Sequence, residues 1–148
     1  MTKRRPRFNH VAMSMPADAL DASGRDEIVR FYTDVFGWEE LPTMTEDRRR
    51  LVMSAYTYEQ FVFLIAEDEP MQCPRLDHFG MSVETREEFD DLYAKAQAYR
   101  AKDDRVDIID PKTEDYEMLK LTGFYVRYLL PMMVEVQHWD WVQPQTQS

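Results

Sequence analysis

Two nonapeptides in this chain read alike, RFNHVAMSM from Arg7 and RLDHFGMSV from Arg75, and each carries a histidine at its fourth place, His10 and His78. An imidazole can hold a metal ion or move a proton near neutral pH, so two of them at one place in a repeated segment are the first candidates for chemistry. The single thiol, Cys73, is the other candidate. It stands beside Pro74 between the two copies, with no histidine near it in sequence, and reads as an incidental thiol rather than a nucleophile.

Both copies alternate apolar and polar residues in the manner of a half-buried strand, and Pro16 ends the first. A helix is expected next, opened by Ser23 with Asp26 three residues on. It carries Ile28, Phe31, Tyr32, Val35 and Phe36 at helical spacing and stops at Gly37. Strand-like runs follow at Trp38 to Leu41, Leu51 to Tyr56 and Phe61 to Ala66. The second copy repeats the order. After a strand from Leu76 to Val83, Thr85 and Glu88 form a capping box for a helix bearing Phe89, Leu92, Tyr93 and Ala96, and strands are expected at Arg105 to Ile109, Leu119 to Tyr128 and Met132 to His138. The expected fold is α+β, two βαβββ modules at 7–72 and 75–140 forming a curved, U-shaped sheet with helices outside, and a polar tail at 141–148.

Composition narrows the function. A chain of 148 residues, 44% of them hydrophobic, suits one domain or two halves sharing a core. With 28 acidic against 18 basic side chains the net charge is −10, which repels a phosphate backbone and excludes nucleic acid as a partner. The one basic cluster, Lys3, Arg4, Arg5 and Arg7, lies at the N-terminal end and lacks the pattern of a secretory leader. No apolar run is long enough to span a bilayer, and no membrane partner is expected. A soluble, cytoplasmic protein is the expectation.

The order of elements, together with FYTDVFGW (Phe31 to Trp38) and FYVRYLLPMMVEV (Phe124 to Val136), resembles the vicinal oxygen chelate superfamily, which contains glyoxalase I, extradiol dioxygenases, fosfomycin-resistance enzymes and bleomycin-binding proteins. The second stretch is similar to that superfamily's final hairpin, often FYFRDPDGNLIEL. The resemblance covers nearly all of residues 7 to 140 and implies three metal ligands, His10, His78 and Glu135. Two imidazoles and one carboxylate leave coordination positions open on a divalent ion such as Fe, Mn, Ni or Zn. It also implies an enzyme acting on a small, apolar or aromatic, oxygenated substrate by lyase, isomerase or dioxygenase chemistry. The alternative is a metal-free, antibiotic-sequestering binder.

Details qualify the resemblance. Laying FVFLIAE on MMVEVQH sets Leu64 opposite Glu135, where glyoxalase I usually has a fourth ligand, which argues against that reaction. Glu67 and His138, each three residues further on, then point to the opposite face. Tyr125 stands where extradiol dioxygenases carry a tyrosine supporting the ligands, with simple packing as the other reading. No histidine lies between His78 and Glu135 to serve as the acid/base of those dioxygenases, and no Lys or Arg follows Arg127 to form a fosfomycin-type cationic pocket. Met13, Met53, Met81 and Met133 are expected to pack in the core. The family's polar hairpin turn is replaced by Tyr128, Leu129, Leu130, Pro131 and Met132; an exposed Leu129–Met132 patch would need a cover, and a homodimer is the expected one.

Overall fold

A computed structural model describes residues 4–142 of the chain; most of the expected polar tail, residues 143–148, lies outside them. The first module runs β1 (His10–Met15), α1 (Ala22–Phe36), β2 (Glu39–Glu40), β3 (Arg50–Ser54) and β4 (Phe61–Ala66). The second runs β5 (His78–Val83), α2 (Arg86–Lys102), β6 (Asp107–Asp115), β7 (Leu119–Arg127) and β8 (Met133–Trp141). Each forms a four-stranded mixed sheet, in the orders β1-β4-β3-β2 and β5-β8-β7-β6, in which the first and last strands pair in parallel. The two sheets are hydrogen-bonded within themselves and not to each other, so β1 and β5 are edge strands.

The expected duplication therefore holds, and each histidine is the first residue of its strand. The capping box at Thr85 and Glu88 is present in full. Gly37 ends α1 in the left-handed region at φ 73°, where its amide returns to the carbonyl of Thr33 and a Cβ would add strain. The N-cap of α1 is Asp21, whose carboxylate accepts from the Gly24 amide, and not Ser23: a short 3-10 turn over Ala17–Leu20 delivers the chain to the helix two residues earlier than the Ser/Asp spacing suggests. A Cβ on Gly24 would sit 2.1 Å from the Ala19 carbonyl oxygen, so that close entry requires glycine. The expected strand at Trp38 to Leu41 shrinks to two residues, because Trp38 turns into the core. Strand β6 runs on past Ile109 to Asp115, the pairing slipping between Ile109 and Lys112 where Pro111 cannot donate.

One core serves both modules. Phe31 of α1 packs edge-on against Tyr99 of α2 (4.9 Å between ring centres) and lies 4.7 Å from Tyr128, which follows β7. The buried Tyr32 hydroxyl donates to the Tyr128 carbonyl and accepts from the Tyr128 amide, both at 3.1 Å. Met13 and Met53 are buried in this core as expected and Met81 packs against it; Met133 is buried too, but its pairing with His78 puts it on the other face of its sheet.

These contacts correct the reading of the apolar turn. Tyr128 and Leu130 are buried, Leu129 and Met132 pack against the core, and the Pro131 carbonyl accepts from the Cys73 thiol at 3.0 Å and from Arg127 at 3.3 Å. The turn is covered within the chain, with Leu129 held at φ 61°, so the expectation of an exposed patch fails and the argument for a dimer built on it falls away.

Candidate functional site

Alternation along the strands gives each sheet a core face and an open face. In the first sheet Val11, Met13, Val62 and Leu64 face the core, leaving His10, Ala12, Phe61 and Phe63 on the open face. In the second, Val134, Val136, Phe124 and Val126 face the core. Glu135 pairs with Gly80, two residues along from His78, and with Tyr125 on its other side. His78, Glu135 and Tyr125 thus share one open face.

This register corrects the mirror position. Ala12 pairs with Phe63 as Gly80 pairs with Glu135, so the counterpart of Glu135 is Phe63, and Leu64 points into the core. A phenylalanine offers no ligand, so the second module alone supplies a carboxylate at this position. Glu67 has the parity of Phe63 but lies past the end of β4, its amide bonded to the Met15 carbonyl. His138 has the parity of Val134 and Val136 and turns from the open face, as expected.

The two histidines are held alike. His78 Nδ1 lies 2.7 Å from the Leu76 carbonyl oxygen, and His10 Nδ1 lies 2.7 Å from the side-chain oxygen of Asn9. Both partners can only accept, so in each neutral ring Nδ1 carries the proton and Nε2 is left with its lone pair. Phe61 stacks on His10 at 4.7 Å, and Tyr125 meets His78 edge-on at 4.9 Å. Both histidines line one cleft of about 610 Å³ between β1 and β5, walled by Phe8, Val11, Phe61 and Phe79.

Glu135 is buried. It accepts from the Gln137 amide, and its carboxylate, ahead of burial, pushes the Tyr125 phenol on the neighbouring strand up to about 12 and keeps it protonated at neutral pH. Gln137 was not singled out from sequence, although its place two residues after Glu135 puts it on the same face. Its own oxygen accepts from the Trp139 indole at 3.0 Å. An indole N–H can only donate, so Trp139 fixes which end of the Gln137 amide meets the carboxylate.

In kind, two imidazoles with free Nε2 atoms and a carboxylate suit a divalent ion. In position they are not gathered: among the described residues no three of His, Cys, Asp and Glu lie close enough together to hold one. His78 and Glu135 share a face, while His10 stands across the cleft on the other module.

No family model matches the sequence, and no curated protein matches it. Solved structures do. A lactoylglutathione lyase from Agrobacterium tumefaciens superposes with a TM-score of 0.62 at 16% identity, over 91% of this chain and 95% of its own. A glyoxalase/bleomycin resistance protein/dioxygenase from Alicyclobacillus acidocaldarius gives 0.59 at 18%, over 97% and 96%. The chain has the vicinal oxygen chelate fold. A mutant of the fosfomycin resistance protein FosX from Listeria monocytogenes, complexed with Mn(II) and 1S,2S-dihydroxypropylphosphonic acid, shares that fold with a TM-score of 0.58 at 11% identity, over 90% and 92%. At such identities the likeness is one of fold, and the chemistry has to be argued from the side chains of this chain. No helix among the described residues is long and apolar enough to cross a membrane.

Proposed function

We propose that this protein is a divalent-metal-dependent enzyme of the vicinal oxygen chelate type, acting on a small oxygenated organic substrate, with His10, His78 and Glu135 as ligands to Fe, Mn, Ni or Zn. The observation that carries the reading is the matched setting of the two histidines, each the first residue of its strand, each with Nδ1 bound to an oxygen and Nε2 without a hydrogen bond among the described residues. A ring so held is a preorganised ligand, because the second nitrogen fixes its tautomer and plane. The set is complete when His10 meets the His78–Glu135 pair, from its own chain or from a second copy in a homodimer. The ion would act as a Lewis acid on neighbouring substrate oxygens. Tyr125, in contact with His78 and paired across the strands with Glu135, keeps a phenolic proton at the site.

A metal-free binding protein is the second reading, favoured by the separation of the three donors and by Glu135 accepting a hydrogen bond from Gln137 within the chain. The test is the metal content of protein purified without chelator, wild type against His78→Ala. The enzyme reading expects near-stoichiometric metal in the wild type and loss of it in the variant. Metal-free protein that binds added small molecules equally well with and without His78 would favour the binder.

A further inference from the structure

The open face of the first sheet carries a groove of about 320 Å³. Its floor and walls are Val52, Phe61, Phe63 and Met44, with His10 and Arg50 also lining it. Arg50 stands in an uneven ionic setting. Of its neighbours, Arg48 is paired with Asp18 at 2.7 Å and Asp47 with Arg25 at 2.6 Å. Arg49 and Arg50 share the one carboxylate of Glu46, at 3.4 and 3.9 Å. The longer contact is beyond hydrogen-bond reach, and the Arg50 guanidinium makes no hydrogen bond among the described residues. On a chain of net charge −10, an under-compensated guanidinium at the rim of an apolar groove is a specific invitation to an anion.

The register sets the scale. His10 is level with Phe61, and Arg50 is level with Ile65, four residues along β4. At a rise of about 3.3 Å per residue that is about 13 Å along β4, and β1 and β3 flank β4 about 10 Å apart. The two backbones thus stand about 16 Å from each other, a span that the His10 and Arg50 side chains shorten to the length of two fused rings. We propose that this groove is the binding site for a planar apolar acid, its rings lying against Phe61 and Phe63 and its carboxylate held bidentately by Arg50. This deepens the proposed function by naming the substrate class; it rests on that reading only in assigning the opposite, reacting end of the ligand to His10.

The test uses 2-naphthoate and the neutral 2-naphthalenemethanol as probes, titrated calorimetrically into the full chain at pH 7 with EDTA present, so that the groove is read apart from any metal. The wild type is expected to prefer the acid at least tenfold, in line with a charge-assisted bond. Arg50→Gln should abolish that preference while leaving the alcohol unchanged, Arg50→Lys should restore part of it, and Phe63→Ala should weaken both probes. Arg50 is half exposed, so its variants are expected to fold, with circular dichroism as the check. Equal binding of the two probes, no binding of either, or an Arg50→Gln variant that keeps the preference overturns the proposal. Acid selectivity in a protein that takes up no metal would sink the metalloenzyme reading and leave the groove standing; metal uptake without acid selectivity does the reverse.

Discussion

The two sheets are built alike and equipped differently. Each has a histidine at the head of its edge strand and a small residue two positions on, Ala12 in one and Gly80 in the other. Opposite that small residue one module places Phe63 and the other Glu135. From this single position the open faces diverge: aromatic and aliphatic side chains beside an under-compensated Arg50 in the first, and in the second a chain of hydrogen bonds running Trp139, Gln137, Glu135, with Tyr125 paired beside it. The first face can grip a ligand by its apolar body, and the second is equipped to handle charge. One scaffold is used twice, and the residue at one register position, Phe63 or Glu135, sets an apolar face apart from a polar one.

The strongest way to break this comparison is to ask whether the modules are separate at all. Phe31→Ala removes a fully buried ring that touches α2 and the end of β7 as well as its own helix. A loss of about 3–5 kcal/mol is expected in urea unfolding. The transition should stay single and cooperative, because one core serves both halves; two separated transitions would mean that the modules fold independently.

The same seam should give way in alkali. Burial, foremost, pushes the Tyr32 and Tyr128 phenols well above the ordinary tyrosine range, and the Glu135 carboxylate raises Tyr125 to about 12. Folded values above the unfolded value of about 10 mean that the native state holds protons the unfolded chain has released. The stability they contribute is complete below about pH 10 and is lost as pH rises through 12. Absorbance of the phenolate band should show Tyr32 and Tyr128 ionising together with unfolding. Ionisation of Tyr32 and Tyr128 in a still-folded protein would contradict the buried seam.

A smaller effect compares the two helices. Thr85→Ala breaks a reciprocal capping box and should cost about 1 kcal/mol. Asp21→Ala removes a cap of a different kind, a carboxylate bound to one amide, and should cost a similar amount. If Ser23→Ala proved as costly as Asp21→Ala in thermal unfolding, the assignment of the α1 cap would be wrong.

Much of this architecture was legible in the sequence because it is periodic or punctuated. The repeated nonapeptide, the helical spacing of Phe31 and Val35, Gly37, and the Thr85–Glu88 pair each have a local physical cause. What escaped was set by contacts distant in sequence. FVFLIA is apolar at every position, so nothing in it reveals which residues face the core, and only pairing with β1 shows that Phe63 rather than Leu64 mirrors Glu135. The Leu129–Met132 turn reads as a surface patch until Tyr32, ninety-odd residues earlier, is found beneath it. The β6 extension depends on a bulge at Pro111, which by sequence alone is a strand breaker. The candidate ligands His10, His78 and Glu135 were legible by type and order, and their spacing across a cleft was not.

Whether those three side chains hold one ion can be read most directly from crystals grown with Mn(II), with diffraction measured at a wavelength where manganese scatters anomalously. One strong anomalous peak is expected within about 2.0–2.3 Å of Nε2 of His78, of Nε2 of a His10 and of a Glu135 carboxylate oxygen, absent from Glu135→Gln crystals treated in the same way. A wild-type map with no peak on the open face of the second sheet, or a peak that survives in Glu135→Gln, would contradict that reading.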